Sequence, residues 1–68
     1  MSNPHNSIKY ITEREVSEIT GFALPTLRNH RSRGRGIPYS KIGTRSVRYS
    51  LRDVLAFMEG HKIVTSEI

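Results

Sequence analysis

Residues 12–34 read TEREVSEITGFALPTLRNHRSRG, and they carry two helix signals on either side of one glycine. Thr12 is a good N-cap, and Glu15 three residues later completes a capping box. Ile11 before the cap and Val16 beyond it form a hydrophobic staple. The acids Glu13 and Glu15 suit the positive end of the helix dipole. The first helix is therefore expected from Glu13 to about Thr20, with Gly21 supplying the left-handed stop. A second helix must begin at or near Leu24, because Pro25 is tolerated only in a first turn. Its N-cap is Ala23, a poor capping residue. It ends by Gly34, in the loop RGRGIP.

The spacing within this stretch points to a particular crossing of the two helices. Ser17 is small where they approach, Gly21 sits in the turn, and Leu27 is placed to bury between them. A small residue, a glycine and an aliphatic at these offsets match a DNA-binding helix-turn-helix. In that motif the second helix enters the major groove. Helical geometry turns Leu27 inward and leaves Pro25, Thr26, Arg28, Asn29 and Ser32 outside, with Arg31 and Arg33 further along. Arg28 is suited to guanine O6 and N7, and Asn29 to adenine N6 and N7. The competing readings are a phosphate contact for Arg28, a neutral surface role for Asn29, and a phosphate or local backbone contact for Thr26.

Downstream, residues 40–53 read SKIGTRSVRYSLRD, a strand, a turn, a strand and a helix start. Gly43-Thr44 is expected to form a two-residue type II′ turn between Ile42 and Arg45. That register puts Ile42, Val47 and Tyr49 on one face, and Tyr39, Lys41, Ser46 and Arg48 on the other. The hairpin then acts as a wing, with Thr44 and Arg45 at its tip and Lys41 and Arg48 facing phosphates. The bland alternative is an edge hairpin that uses charge against aggregation. Ser50 is the expected cap of a third helix, with Asp53 at the box position and Tyr49 stapled to Val54. Leu51, Val54, Leu55 and Met58 follow helical spacing, and Gly60 ends the pattern. Upstream, IKYI reads as a short strand or extended lead-in.

Charge supports the same reading. The 68-residue chain has a formal net charge of +5, and none of its six acids falls within residues 19–52. That window holds Arg28, Arg31, Arg33, Arg35, Lys41, Arg45, Arg48 and Arg52. A solvated surface normally mixes both signs, so this segregation points to a polyanion, foremost nucleic acid. An acidic membrane surface is the competitor. The preference for Arg over Lys suits bidentate contacts.

The remaining classes are weaker. There is no cysteine, no apolar run near the roughly 20 residues of a bilayer span, and no signal-peptide pattern at the start. A soluble, cytoplasmic protein without membrane partners is expected. His5, His30 and His61 are widely spaced, so no metal or other cofactor is expected. Tyr39 and Tyr49 fit structural positions better than a recombinase nucleophile, and RGRG lacks the strand and helix that frame a phosphate loop. An enzyme is not expected. Exposed aromatic pairs for stacking RNA bases are lacking. The rival from another class is a protein-interaction adaptor or antirepressor.

Residues 10–58, from YITEREVSEITG through PTLRNHRSRG and IPYSKIG to VRYSLRDVLAFM, resemble the excisionase and AlpA-like family of small prophage regulators. The resemblance implies a winged helix-turn-helix related to the MerR DNA-binding domain, mainly α with a small β-hairpin. It implies double-stranded DNA as partner, in the nucleoid of a bacterial or phage-infected cell. A phage integrase or RNA polymerase is the implied protein partner. Two departures stand out: Ala23 where the family usually has Ser or Thr, and His30 where it often has Trp or Tyr. Excision and transcriptional regulation both remain open. Because one small domain reads few base pairs, cooperative self-association on repeated sites is expected. Residues 1–7 are expected to be a disordered tail, 8–60 the DNA-binding domain and 61–68 a second tail.

Overall fold

The computed structural model describes residues 8–65. In chain order it contains β1 (Tyr10–Ile11), α1 (Glu13–Thr20), α2 (Leu24–Ser32), β2 (Ser40–Ile42), β3 (Ser46–Ser50) and α3 (Leu51–Gly60). The expected tail at residues 1–7, and the end of the one expected at 61–68, lie outside the described residues. Three helices and a three-stranded antiparallel sheet make a winged helix-turn-helix, as the sequence implies.

Local chemistry sets the first helix. The Thr12 hydroxyl accepts from the Glu15 backbone N–H at 3.2 Å, and the Glu15 carboxylate accepts from the Thr12 N–H at 2.9 Å. Both staple residues, Ile11 and Val16, are buried. At the other end Gly21 takes φ 81°, and its N–H reaches the Ser17 carbonyl at 2.8 Å. Ser17 also pins the turn through its side chain, whose hydroxyl donates to the Phe22 carbonyl at 2.6 Å. α2 begins with no side-chain cap at Ala23. Pro25 carries no N–H, so that first turn has one fewer donor to satisfy.

β1 is more than a lead-in. It pairs with β3 through Tyr10↔Ser50 and Ile11↔Tyr49, so β3 becomes the central strand. This pairing also explains the start of α3. Ser50 occupies the N-cap but makes no side-chain cap bond, contrary to expectation. The Leu51 N–H instead donates to the Lys9 carbonyl at 2.8 Å. The neighbouring strand thus satisfies one of the N–H groups left without an intrahelical partner at the start of α3.

The wing departs from the expected register. Ile42 pairs with Ser46, so the loop has three residues, Gly43 to Arg45, with Gly43 at φ 70°. A shift of one residue flips every β2 side chain relative to β3. Lys41 lies opposite Val47, and Ile42 shares the outer face with Ser46 and Arg48, 62% exposed. Lys41 and Arg48 thus do not share a face. The shift brings the Tyr39 ring to 6.2 Å from that of Tyr49, and Arg31 lies over Tyr39 at 5.6 Å. This aromatic and cation–π cluster outweighs burial of one isoleucine on a three-residue strand.

Six residues form the buried core: Ile11, Val16, Leu27, Ile37, Tyr49 and Val54. Every helix supplies one, so the helices depend on one another and on the sheet. On α3 the inward stripe is Leu51, Val54 and Phe57. Leu55 and Met58, expected on that stripe, are 50% and 41% exposed. The helix also includes Gly60 and is capped by His61.

His30 packs edge-on against Phe22, with ring centroids 5.3 Å apart. Gly36 closes over it at φ 93°, and a Cβ there would come within 2.8 Å of the His30 Cβ. Gly36→Ala is expected to destabilise the fold by about 2 kcal/mol, through backbone strain and a contact with no room to relax. Gly34, also at positive φ but facing open space, should cost less as alanine. Urea unfolding of the two variants checks this: the Gly36 midpoint should fall further, with unchanged slope.

Candidate nucleic-acid interface

Two adjoining clefts, of about 310 and 370 Å³, run between α2 and the wing. Both are lined by Arg28, Arg31, Arg45 and Val47, so they form one continuous groove. Thr12, Glu13 and Arg48 line its α1 side. Ser32, Tyr39, Lys41 and Thr44 line the other. The fold therefore brings cations separated by up to 20 positions in sequence into one channel.

Each expected contact residue has a defined setting. Pro25, Arg28, Asn29, Ser32 and Arg33 are exposed, and Thr26 and Arg31 are half-buried. Of these, Arg28, Arg31 and Ser32 line the groove, whereas Pro25, Thr26, Asn29 and Arg33 do not. On the wing, Lys41, Thr44, Arg45 and Ser46 are exposed and Arg48 is half-buried. Ser46 lies outside the groove. Arg48 folds back so that its Nη1 donates to the Val47 carbonyl at 2.9 Å.

Arg31 is held from several sides. Its Nη1 donates to the buried Tyr49 hydroxyl at 2.8 Å, and its Nη2 to Glu13 Oε1 at 3.2 Å. The guanidinium also lies over the Tyr39 and Tyr49 rings. With a side chain only 16% exposed, Arg31 is a buttress joining α2 to α1 and β3. Arg28 differs, with 56% of its side chain exposed. Its Nη2 donates to Glu13 Oε2 at 2.7 Å and its Nε to Oε1 at 3.4 Å.

In sequence Glu13 reads as a first-turn acid and nothing more. In space it is the one carboxylate lining the groove among the described residues. No local pattern signals this, because its partners lie 15 and 18 positions away. The Arg28 guanidinium, aided by Arg31 and opposed by partial burial, holds the Glu13 carboxyl below its ordinary range. Glu15 is lowered as well, by the Thr12 backbone and then its hydroxyl. Both are carboxylates at neutral pH.

Among the described residues, no three His, Cys, Asp or Glu side chains come together to hold a metal ion. No helix is long and apolar enough to cross a membrane. Comparisons with curated proteins and with solved structures return no match. A family model described as a helix-turn-helix domain matches residues 10–62, from β1 to just beyond α3. That span covers the two helices, the wing and the groove between them, and the chain belongs to the helix-turn-helix domain family, a DNA-binding architecture.

Proposed function

We propose that the protein is a sequence-specific double-stranded DNA-binding protein of the excisionase or AlpA-like type, and not an enzyme. α2 enters the major groove, and the wing lies on the adjacent minor groove or backbone. The observation that carries this reading is the groove itself, where Arg28 and Arg31 of α2 meet Lys41, Arg45 and Arg48 of the wing. Arg28 and Asn29 read base edges, and Pro25, Thr26, Ser32 and Arg33 flank them. Lys41, Thr44, Arg45, Ser46 and Arg48 engage the backbone. Arg31 adds positive charge and holds α2 in place.

The protein acts in the cytoplasm of a bacterial or phage-infected cell, on repeated short sites that it fills cooperatively. Its protein partner is an integrase in the excision role, or RNA polymerase in the regulatory role. A second reading, a protein adaptor, draws support from Leu55 and Met58, which are exposed on α3 and line neither part of the groove.

The test is to incubate the protein with fragmented DNA of its source genome near physiological salt and sequence what is retained. Enrichment of short repeats supports the DNA reading. Repeats beside an attachment site indicate excision, and repeats in a promoter indicate regulation. A folded protein that enriches nothing overturns the reading in favour of the adaptor.

A further inference from the structure

A carboxylate in a groove built for phosphate lowers affinity for any DNA, so Glu13 calls for a reason. The pairing geometry supplies one. A guanidinium carries five N–H donors in one plane. Glu13 takes the side edge of Arg28, the Nε–H and one N–H of Nη2. One N–H of Nη1 and the second of Nη2 remain as an end-on fork on a side chain that is 56% exposed. Such a fork matches two acceptors lying in one plane, as guanine O6 and N7 do. Glu13 is itself fixed: it begins α1 directly after the capped Thr12, and Arg31, tied to Tyr49, holds its Oε1.

We infer that Glu13 is a positioning residue that orients Arg28 for base reading and keeps it off phosphates, lowering general DNA affinity in favour of discrimination. This rests on the DNA reading above. Arg28 is the side chain that touches DNA, and Glu13 acts through it.

The test uses the full chain, a library of randomised duplexes, and three variants whose folding is checked by thermal unfolding. The wild type should select a motif containing a guanine whose replacement weakens binding about tenfold. Glu13→Gln should lose that preference, bind unrelated duplexes several-fold more tightly, and gain about one phosphate contact in salt dependence. Glu13→Asp keeps the charge but is one methylene shorter. It should lose the preference without gaining general affinity, and it separates position from charge if the glutamine variant fails to fold. Arg28→Lys should keep general affinity and lose the preference.

If Glu13→Gln and Glu13→Asp keep the guanine preference while Arg28→Lys loses it, Arg28 reads unaided and the inference falls. Retention of the preference in Arg28→Lys also sinks it. A wild type that selects no motif fails earlier, and takes the DNA reading with it.

Discussion

Leu27→Ala is expected to lower the melting temperature by about 15–20 °C. Leu27 is 1% exposed and lies in the core between the two helices of the motif. Removing its branched end deletes buried apolar contacts and leaves a cavity, for a loss of about 3 kcal/mol. A chain of this size has a total stability of only about 3–10 kcal/mol, so the loss is a large share of the whole. The mixed origin of the core adds to the damage. Ile11, Val16, Tyr49 and Val54 come from four other elements, and no helix can keep its packing when one partner withdraws. Leu27→Met, which nearly conserves volume, should cost less than about 1.5 kcal/mol. Circular dichroism melts of both variants check the claim. Equal melting temperatures would mean that the helices are not held together through this residue.

The second large effect concerns the groove. Arg28→Glu combined with Arg45→Glu is expected to weaken DNA binding by at least about 100-fold near physiological salt, and to flatten its salt dependence by about one phosphate contact, that of Arg45. The two arginines come from different elements yet line both parts of the channel. Reversing them replaces two cations by two anions where the polyanion would lie. The control is Arg14→Glu with Lys62→Glu, which makes the same change in net charge at exposed positions outside the groove. It should weaken binding only slightly, because exposed charges are screened within about 10 Å at moderate salt. Similar losses in the two double variants would show attraction by overall charge and not by the groove. Undiminished binding in the first would move the interface elsewhere.

How much of this was legible in the sequence depended on distance along the chain. The capping box at Thr12 and Glu15, the staple of Ile11 and Val16 and the stop at Gly21 all act within a few residues, and each reads directly. The third helix was legible in outline only. Leu51 and Val54 belong equally to a stripe continued by Phe57 and to one continued by Met58, and packing against the sheet selects Phe57. The wing turn failed for a similar reason. Gly43-Thr44 suits a tight hairpin, but Tyr39 gains contacts to Tyr49 and Arg31 only with a three-residue loop. The basic window announced a polyanion partner, since charge segregation needs no tertiary knowledge. Which arginines are buried and which stay exposed was hidden. Arg31 and Arg28 look alike in sequence, and only the fold sets one against Tyr49 and leaves the other half in solvent.

The central strand has a consequence for the kind of target this molecule can accept. β3 is paired on both sides, carries the wing at one end and runs straight into α3 at the other, while β1 leads through one residue into α1. No flexible linker separates the helix pair from the hairpin along this path. On the proposed reading, with α2 and the wing both on DNA, the protein is a calliper with a fixed gap. A site lengthened by one base pair between its two contacts shifts one of them by about 3.4 Å along the axis and rotates it around the duplex, beyond what a paired strand can follow. Spacing is then part of the message, read by the stiffness of a sheet and not by any side chain.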